Sequence, residues 1–206
     1  MGQEPAPVAP NRRLTPADRG KSVPPGHGPY ARPVADFLIV VNGIPGAGKT
    51  TLAAPLAREL GVTLVAKDAL KEALADAVDA PLPTSRIGAV ATDALWAIAG
   101  MLDGVVMIES FWASGRDERW FRRGHESIGA PAGIELWCDV PRDVARQRAR
   151  DRPRHKAHAD AGRREEWEVL TEGAAPISGL PTLRVDTSAP VDLAQLIQDI
   201  RKSLPV

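Results

Sequence analysis

The sequence predicts an α/β fold in which a parallel sheet is covered on both faces by helices, and two observations carry that prediction. Short apolar runs at 37–42, 62–66, 104–109, 133–138 and 182–186, bounded by Gly, Pro or charge, alternate with helical stretches at about 50–60, 68–78, 86–102, 116–128, 141–151 and 190–203. Repeated alternation of this kind implies right-handed strand–helix–strand units, with ligands held at the carboxyl ends of the strands. Directly behind the first run, Gly43-Ile44-Pro45-Gly46-Ala47-Gly48-Lys49-Thr50 matches G-x-x-x-x-G-K-[ST] and opens the first helix.

Composition narrows the function classes. A chain of 206 residues accommodates one folded domain with an unfolded flank. The 26 Lys plus Arg are balanced by 26 Asp plus Glu, which argues against nucleic acid or an acidic membrane as partner. Residues 1–33 hold Pro5, Pro7, Pro10, Pro16, Pro24, Pro25, Pro29 and Pro33 with few large apolar side chains, so a disordered leader is expected before a folded domain at 34–206. Neither an apolar run of about eighteen residues nor a signal peptide is evident, so the chain reads as cytoplasmic. Cys138, the single cysteine, sits in Ile134-Glu135-Leu136-Trp137-Cys138 and reads as a buried inert thiol.

The first strand and helix form a phosphate-binding loop. Gly43, Pro45, Gly46, Ala47 and Gly48 would turn their amides toward a polyphosphate, Lys49 would reach the β- and γ-phosphates, and the Thr50 hydroxyl would hold Mg²⁺. Thr51 continues the helix, whose N-terminal amides and dipole add to anion binding. After the second strand comes Lys67-Asp68-Ala69-Leu70-Lys71. Asp68 is either a helix cap, stabilising by roughly 1 kcal/mol, or the base that takes a proton from an acceptor hydroxyl. Lys71, one turn on, is a candidate acceptor contact.

The third strand ends in Glu109, which reads as the acid that orders Mg²⁺ or, alternatively, as an acceptor contact. Beyond it Phe111, Trp112, Trp120 and Phe121 cluster around Arg116 in a chain with only 4% aromatic residues. Trp112 and Arg116 are expected to line an acceptor pocket, while Trp120, Phe121 and Trp96 read as core. After the fourth strand, Arg142, Arg146, Arg150 and Arg154 recur at four-residue spacing and would share a helix face able to neutralise charge on transferring phosphoryl oxygens. His155 and His158 lack a nearby cysteine, which argues against zinc. Val140-Pro141-Arg142-Asp143 and Thr187-Ser188-Ala189-Pro190 read as the starts of the last two helices.

These segments together resemble the small P-loop kinases of the zeta-toxin, chloramphenicol phosphotransferase and polynucleotide-kinase type, over about residues 37–203. The resemblance implies a nucleoside-kinase-like fold with a central five-stranded parallel sheet and a short arginine-rich lid. It implies Asp68 as general base, Arg146 and Arg150 as lid arginines closing over the phosphates, and Thr187 in the loop beside the adenine ring. It further implies transfer of the γ-phosphoryl group of ATP, with GTP as the alternative, to a hydroxyl of a small molecule: an antibiotic, a nucleoside or a sugar nucleotide. The rival expectations are a polynucleotide 5′-hydroxyl as acceptor and an ATPase switch acting through a protein partner. Oligomeric state is not fixed by the sequence.

Overall fold

Alternation along the first strand decides which helices pack where. The computed structural model of the protein describes residues 35–153, 155–158 and 163–203; the expected leader at 1–33 and Arg154 lie outside the described residues. In β1 (Ala35–Asn42), Phe37, Ile39 and Val41 face one layer of helices while Leu38 and Val40 face the other. A register irregularity between Ala35 and Phe37 puts Ala35 on the same side as Leu38.

The first layer is formed by α1 (Lys49–Leu60), α5 (Arg142–Asp151) and α7 (Leu193–Arg201), through Leu52, Ala53, Leu56, Ala145, Leu196 and Ile200. On the second face lie α3 (Thr84–Ala99) and α4 (Glu118–Ser127), through Leu95, Trp96, Ala99 and Phe121. The remaining strands are β2 (Thr63–Ala66), β3 (Gly104–Glu109), β4 (Ala132–Asp139) and β5 (Thr182–Asp186), giving the order β2-β3-β1-β4-β5 with every pairing parallel. This is the predicted three-layer α/β architecture with five parallel strands. All the described residues fall within one compact unit, and among them no helix is long and apolar enough to cross a membrane.

Two local expectations need correction. The last helix starts at Leu193 rather than near Pro190, because the Asp192 carboxylate accepts the Gln195 amide at 3.0 Å and caps it. Pro141 stands at the cap of α5, a helix start as expected. An unpredicted helix, α6 (Arg163–Thr171), follows α5. Its charged sequence carries little periodic apolar signal, and it is secured by docking: Arg142 donates to the Thr171 hydroxyl at 2.9 Å, and the Arg142 and Arg146 guanidinium groups lie 5.5 and 5.4 Å from the Trp167 ring centre.

The second face is tightest around Trp96. Its ring meets Phe121 edge-on at 5.3 Å and Trp112 at 5.9 Å, while Trp112 and Phe121 meet at 5.3 Å. Gly124 of α4 lies against the Trp96 indole so closely that a Cβ there would overlap the ring. Gly124→Ala therefore gains helix propensity yet should lose about 1–3 kcal/mol net through overpacking. A lower urea midpoint is expected, and an unchanged one would show that Trp96 has room to move.

Candidate nucleotide and acceptor site

β1 lies between β3 and β4, so the strand order reverses at its end, and a cavity of about 1120 Å³ opens at the carboxyl ends of the strands. The loop after β1 forms its floor, with Pro45, Gly46, Gly48, Lys49, Thr50 and Thr51 lining it and Ala47 buried beneath. Gly46 has φ of 91°, and a Cβ there would overlap the Ala145 carbonyl of α5, so only glycine brings the loop this close. Gly48, at φ of 84°, caps α1 with no side chain, leaving the first helical amides open to an anion. The Lys49 ammonium donates to the carbonyls of Gly43 at 2.9 Å and Ile44 at 3.2 Å.

Thr50 and Glu109 meet at the end of β3, where the Thr50 hydroxyl donates to the Glu109 carboxylate at 3.2 Å. Burial pushes the Glu109 carboxyl above the ordinary carboxylate range, with Lys49 pulling the other way and Asp68 adding to the rise. A buried carboxylate beside a hydroxyl is an oxygen-donor set suited to Mg²⁺, and the raised pKa marks a place where a cation would relieve the cost of charge. Among the described residues no group of three or more His, Cys, Asp or Glu is arranged to hold a metal.

Helix α2 (Lys67–Asp76) supplies the opposite wall. Its cap is Ala66 with no side-chain hydrogen bond, and Asp68 is its second residue, so Asp68 is not the cap. The Asp68 carboxylate is exposed and lines the cavity together with Lys71, which is only 6% exposed. Trp112 belongs to the core cluster and to the cavity wall at once. Arg116 also lines the cavity and grips Asp117 through two hydrogen bonds of 2.8 and 2.7 Å. Phe121 and Trp96 are core as expected, whereas Trp120 is 47% exposed at the cavity and stacks with Arg119 at 4.7 Å.

The arginine expectation needs a shift of register. Arg142 and Arg146 turn toward α6, where both pair with Glu168, and neither Arg146 nor Arg150 lines the cavity. Arg148 and Arg152 line it instead. Helix α6 claims the side of α5 that four-residue counting had assigned to the phosphates. Arg148 donates to the carbonyls of Thr187 at 2.9 Å and Ser188 at 3.0 Å. Thr187 does not line the cavity: its hydroxyl donates to Ala47 at 2.7 Å and so braces the loop from below.

Other contributors went unnoticed in the sequence. Lys67, the first residue of α2, lines the cavity with its ammonium 5.7 Å from the Trp112 ring centre. Asn42, fully buried, accepts from the amides of Gly43 at 2.7 Å and Trp112 at 3.0 Å and donates to Glu135 at 2.8 Å. Glu135, equally buried, also accepts from the Ser178 amide at 2.9 Å and hydroxyl at 2.5 Å. Polar residues inside apolar strand runs were the available signal for this pair, since burial demands partners. The segment at 155–158 is moored to α2: His155 and Lys156 reach Asp76 at 3.2 and 3.0 Å, and His158 reaches Glu72 at 3.0 Å.

A family model described as an AAA domain matches residues 38–177. Among solved structures the chain is similar to a candidate kinase from Chloroflexus aurantiacus J-10-fl, 30% identical, covering 84% of this chain and 100% of that one at a TM-score of 0.70. It shares a fold with a gluconokinase from Sinorhizobium meliloti 1021, 20% identical, over 82% of this chain and 91% of that one at a TM-score of 0.52. It also shares a fold with an APS kinase from Mycobacterium tuberculosis, 19% identical, over 83% and 99% at a TM-score of 0.51. A search of curated proteins returned no match.

The mooring at 155–158 carries a pH dependence. Burial lowers the His158 pKa from its ordinary 6.5 despite the opposing pull of Asp68 and Glu72, so the folded protein favours the neutral ring, with Nε2–H donating to Glu72. A depressed folded value contributes stability that is complete above 6.5 and lost as pH falls through the lowered value. Thermal midpoints between pH 8 and pH 5 should thus fall less steeply in His158→Gln than in the parent protein; identical slopes would assign the acid sensitivity elsewhere.

Proposed function

The chain belongs to the AAA-domain family, and from that premise we propose that it is an ATP- and Mg²⁺-dependent kinase transferring the γ-phosphoryl group to a hydroxyl of a small molecule. The observation that carries the reading is that Lys49, Thr50 and Glu109 line one cavity with Asp68, an exposed carboxylate on a different element. A site for hydrolysis alone has no need of a second wall carrying Asp68, Lys71, Trp112 and Arg116. The cavity of about 1120 Å³ exceeds the usual volume of a single small-ligand pocket, in keeping with room for a nucleotide and an acceptor.

In this reading the loop amides and Lys49 hold the β- and γ-phosphates. Bound by Thr50 and Glu109, Mg²⁺ would offset negative charge on the phosphate oxygens. The acceptor oxygen forms a bond to the γ-phosphorus as its proton passes to Asp68, and the bond from that phosphorus to the bridging oxygen breaks, releasing ADP. Arg148 and Arg152, which line the cavity, take the charge-neutralising role expected of Arg146 and Arg150. Most of the acceleration comes from positioning and charge stabilisation, because a loose transition state needs little covalent help. The acceptor is an antibiotic, a nucleoside or a sugar nucleotide, as in kinases of the zeta-toxin and chloramphenicol phosphotransferase type, and an antibiotic acceptor would make the protein a resistance factor. Adenine is favoured over guanine on that resemblance alone.

A mass-spectrometric screen with ATP and Mg²⁺ against pooled acceptors of these classes tests the assignment. Asp68→Asn should lower transfer by roughly 10²–10⁴-fold while nucleotide affinity holds; joint loss of both would refute the base. Lys49→Ala should weaken nucleotide binding and turnover together, and retention of full ATP affinity would remove Lys49 from the phosphate site.

A further inference from the structure

One cation in the cavity has no role in the scheme above. Lys67 sits immediately before Asp68, at the first position of α2, and its side chain lines the cavity. Among the described residues its ammonium makes no hydrogen bond or ion pair, and its recorded contact is the face of Trp112 at 5.7 Å. Burial lowers its pKa, while Asp117 and Asp68 oppose that at longer range. An ammonium carries three donors, and leaving them unmet in a sheltered place costs free energy that a ligand oxygen would return.

The surroundings hold Lys67 in place for such a ligand. Trp112 is wedged between Trp96 and Phe121, and its backbone amide is fixed by Asn42. Its indole Nε1 is also buried and without a hydrogen-bond partner. Lys71 lies one turn further along α2 and is 6% exposed, so two sheltered cations share one helix face beside the proposed base. Two of the nearby carboxylates are engaged elsewhere, Asp117 with Arg116 and the Ala113 amide and Glu72 with His158. This arrangement favours negative charge on whatever occupies the acceptor side.

We infer that the acceptor carries an anionic group, a carboxylate or a phosphate, in addition to the hydroxyl that is phosphorylated, and that Lys67 binds that group. The inference rests on the kinase reading and revises its acceptor classes: sugar nucleotides fit, neutral antibiotics and unmodified nucleosides are poor acceptors, and hydroxy acids and sugar phosphates join the good ones. Lys67 acts in recognition, so its loss raises KM more than it lowers kcat.

The full chain, with ATP and Mg²⁺, is offered matched pairs that differ in charge: glycerate and glycerol, gluconate and glucitol, ribose 5-phosphate and ribose. Phosphorylation concentrated on the anionic members is expected. With the best of them, Lys67→Met should raise KM by about 10- to 100-fold with nucleotide affinity unchanged, and Lys67→Arg should recover part of the loss. Equal or better turnover of the neutral members, or an unaltered KM in Lys67→Met, overturns the inference and leaves the kinase reading standing. Absence of transfer to every compound while ATP still binds counts against the kinase reading itself. In that case calorimetric titration of the same pairs into the ADP-loaded protein decides the inference: anion-selective binding removed by Lys67→Met supports it, and no selectivity ends it.

Discussion

The buried pair Asn42 and Glu135 is the constraint on which the site depends. Asn42 ends β1, where a single side chain must serve the first glycine of the phosphate loop, the amide of Trp112 on the cavity wall, and a carboxylate on the neighbouring strand. Both residues are fully buried, so each unmet bond would carry the cost of desolvation without return. Glu135 extends the network to Ser178 on the connection that enters β5. The loop beginning at Gly43 and the wall containing Trp112 are thereby set relative to one framework rather than to each other through a flexible chain.

Around that framework the two layers have different duties. The layer of α1, α5 and α7 presses the phosphate loop from one side: Gly46 against α5, and Thr187 bonded to Ala47 from beneath. The layer of α3 and α4 contains the aromatic cluster that keeps Trp112 in position. Helix α5 serves two masters. Its Arg142 and Arg146 hold α6, while Arg148 and Arg152 face the cavity, and the small residues Ala145 and Ala149 let the helix lie close to the loop.

Much of this was legible in the sequence because it is encoded locally. The phosphate loop announces itself by glycine spacing, each strand by a run of apolar residues, and Glu109 by its place at the end of one. Lys71, Trp112 and Arg116 line the cavity for the same reason: strand ends converge on one edge of the sheet. What failed depends on partners distant in the chain. Counting fours along α5 finds a face of arginines but does not reveal that α6 covers it, since α6 has scarcely any apolar pattern of its own. Thr187 is placed beside the adenine ring only by the family resemblance, whereas its hydroxyl turns into the protein toward Ala47. Lys67 carries no local signal of its own beside Asp68, and only the tertiary fold shows that it stands over an indole.

Helix α2 carries its charges in two adjacent rows, Lys67 and Lys71 in one, Asp68, Glu72 and Asp76 in the other. Asp68 in the acidic row lines the cavity, while Glu72 and Asp76 moor residues 155–158. A rigid helix cannot turn one end without turning the other. The tilt and rotation of α2 that set this wall of the cavity therefore also fix how far the 155–158 segment stands from the phosphate loop. Under the proposed kinase reading, a change of acceptor would have to work through that shared axle, and substitutions that merely enlarge this wall of the cavity would be transmitted to the mooring.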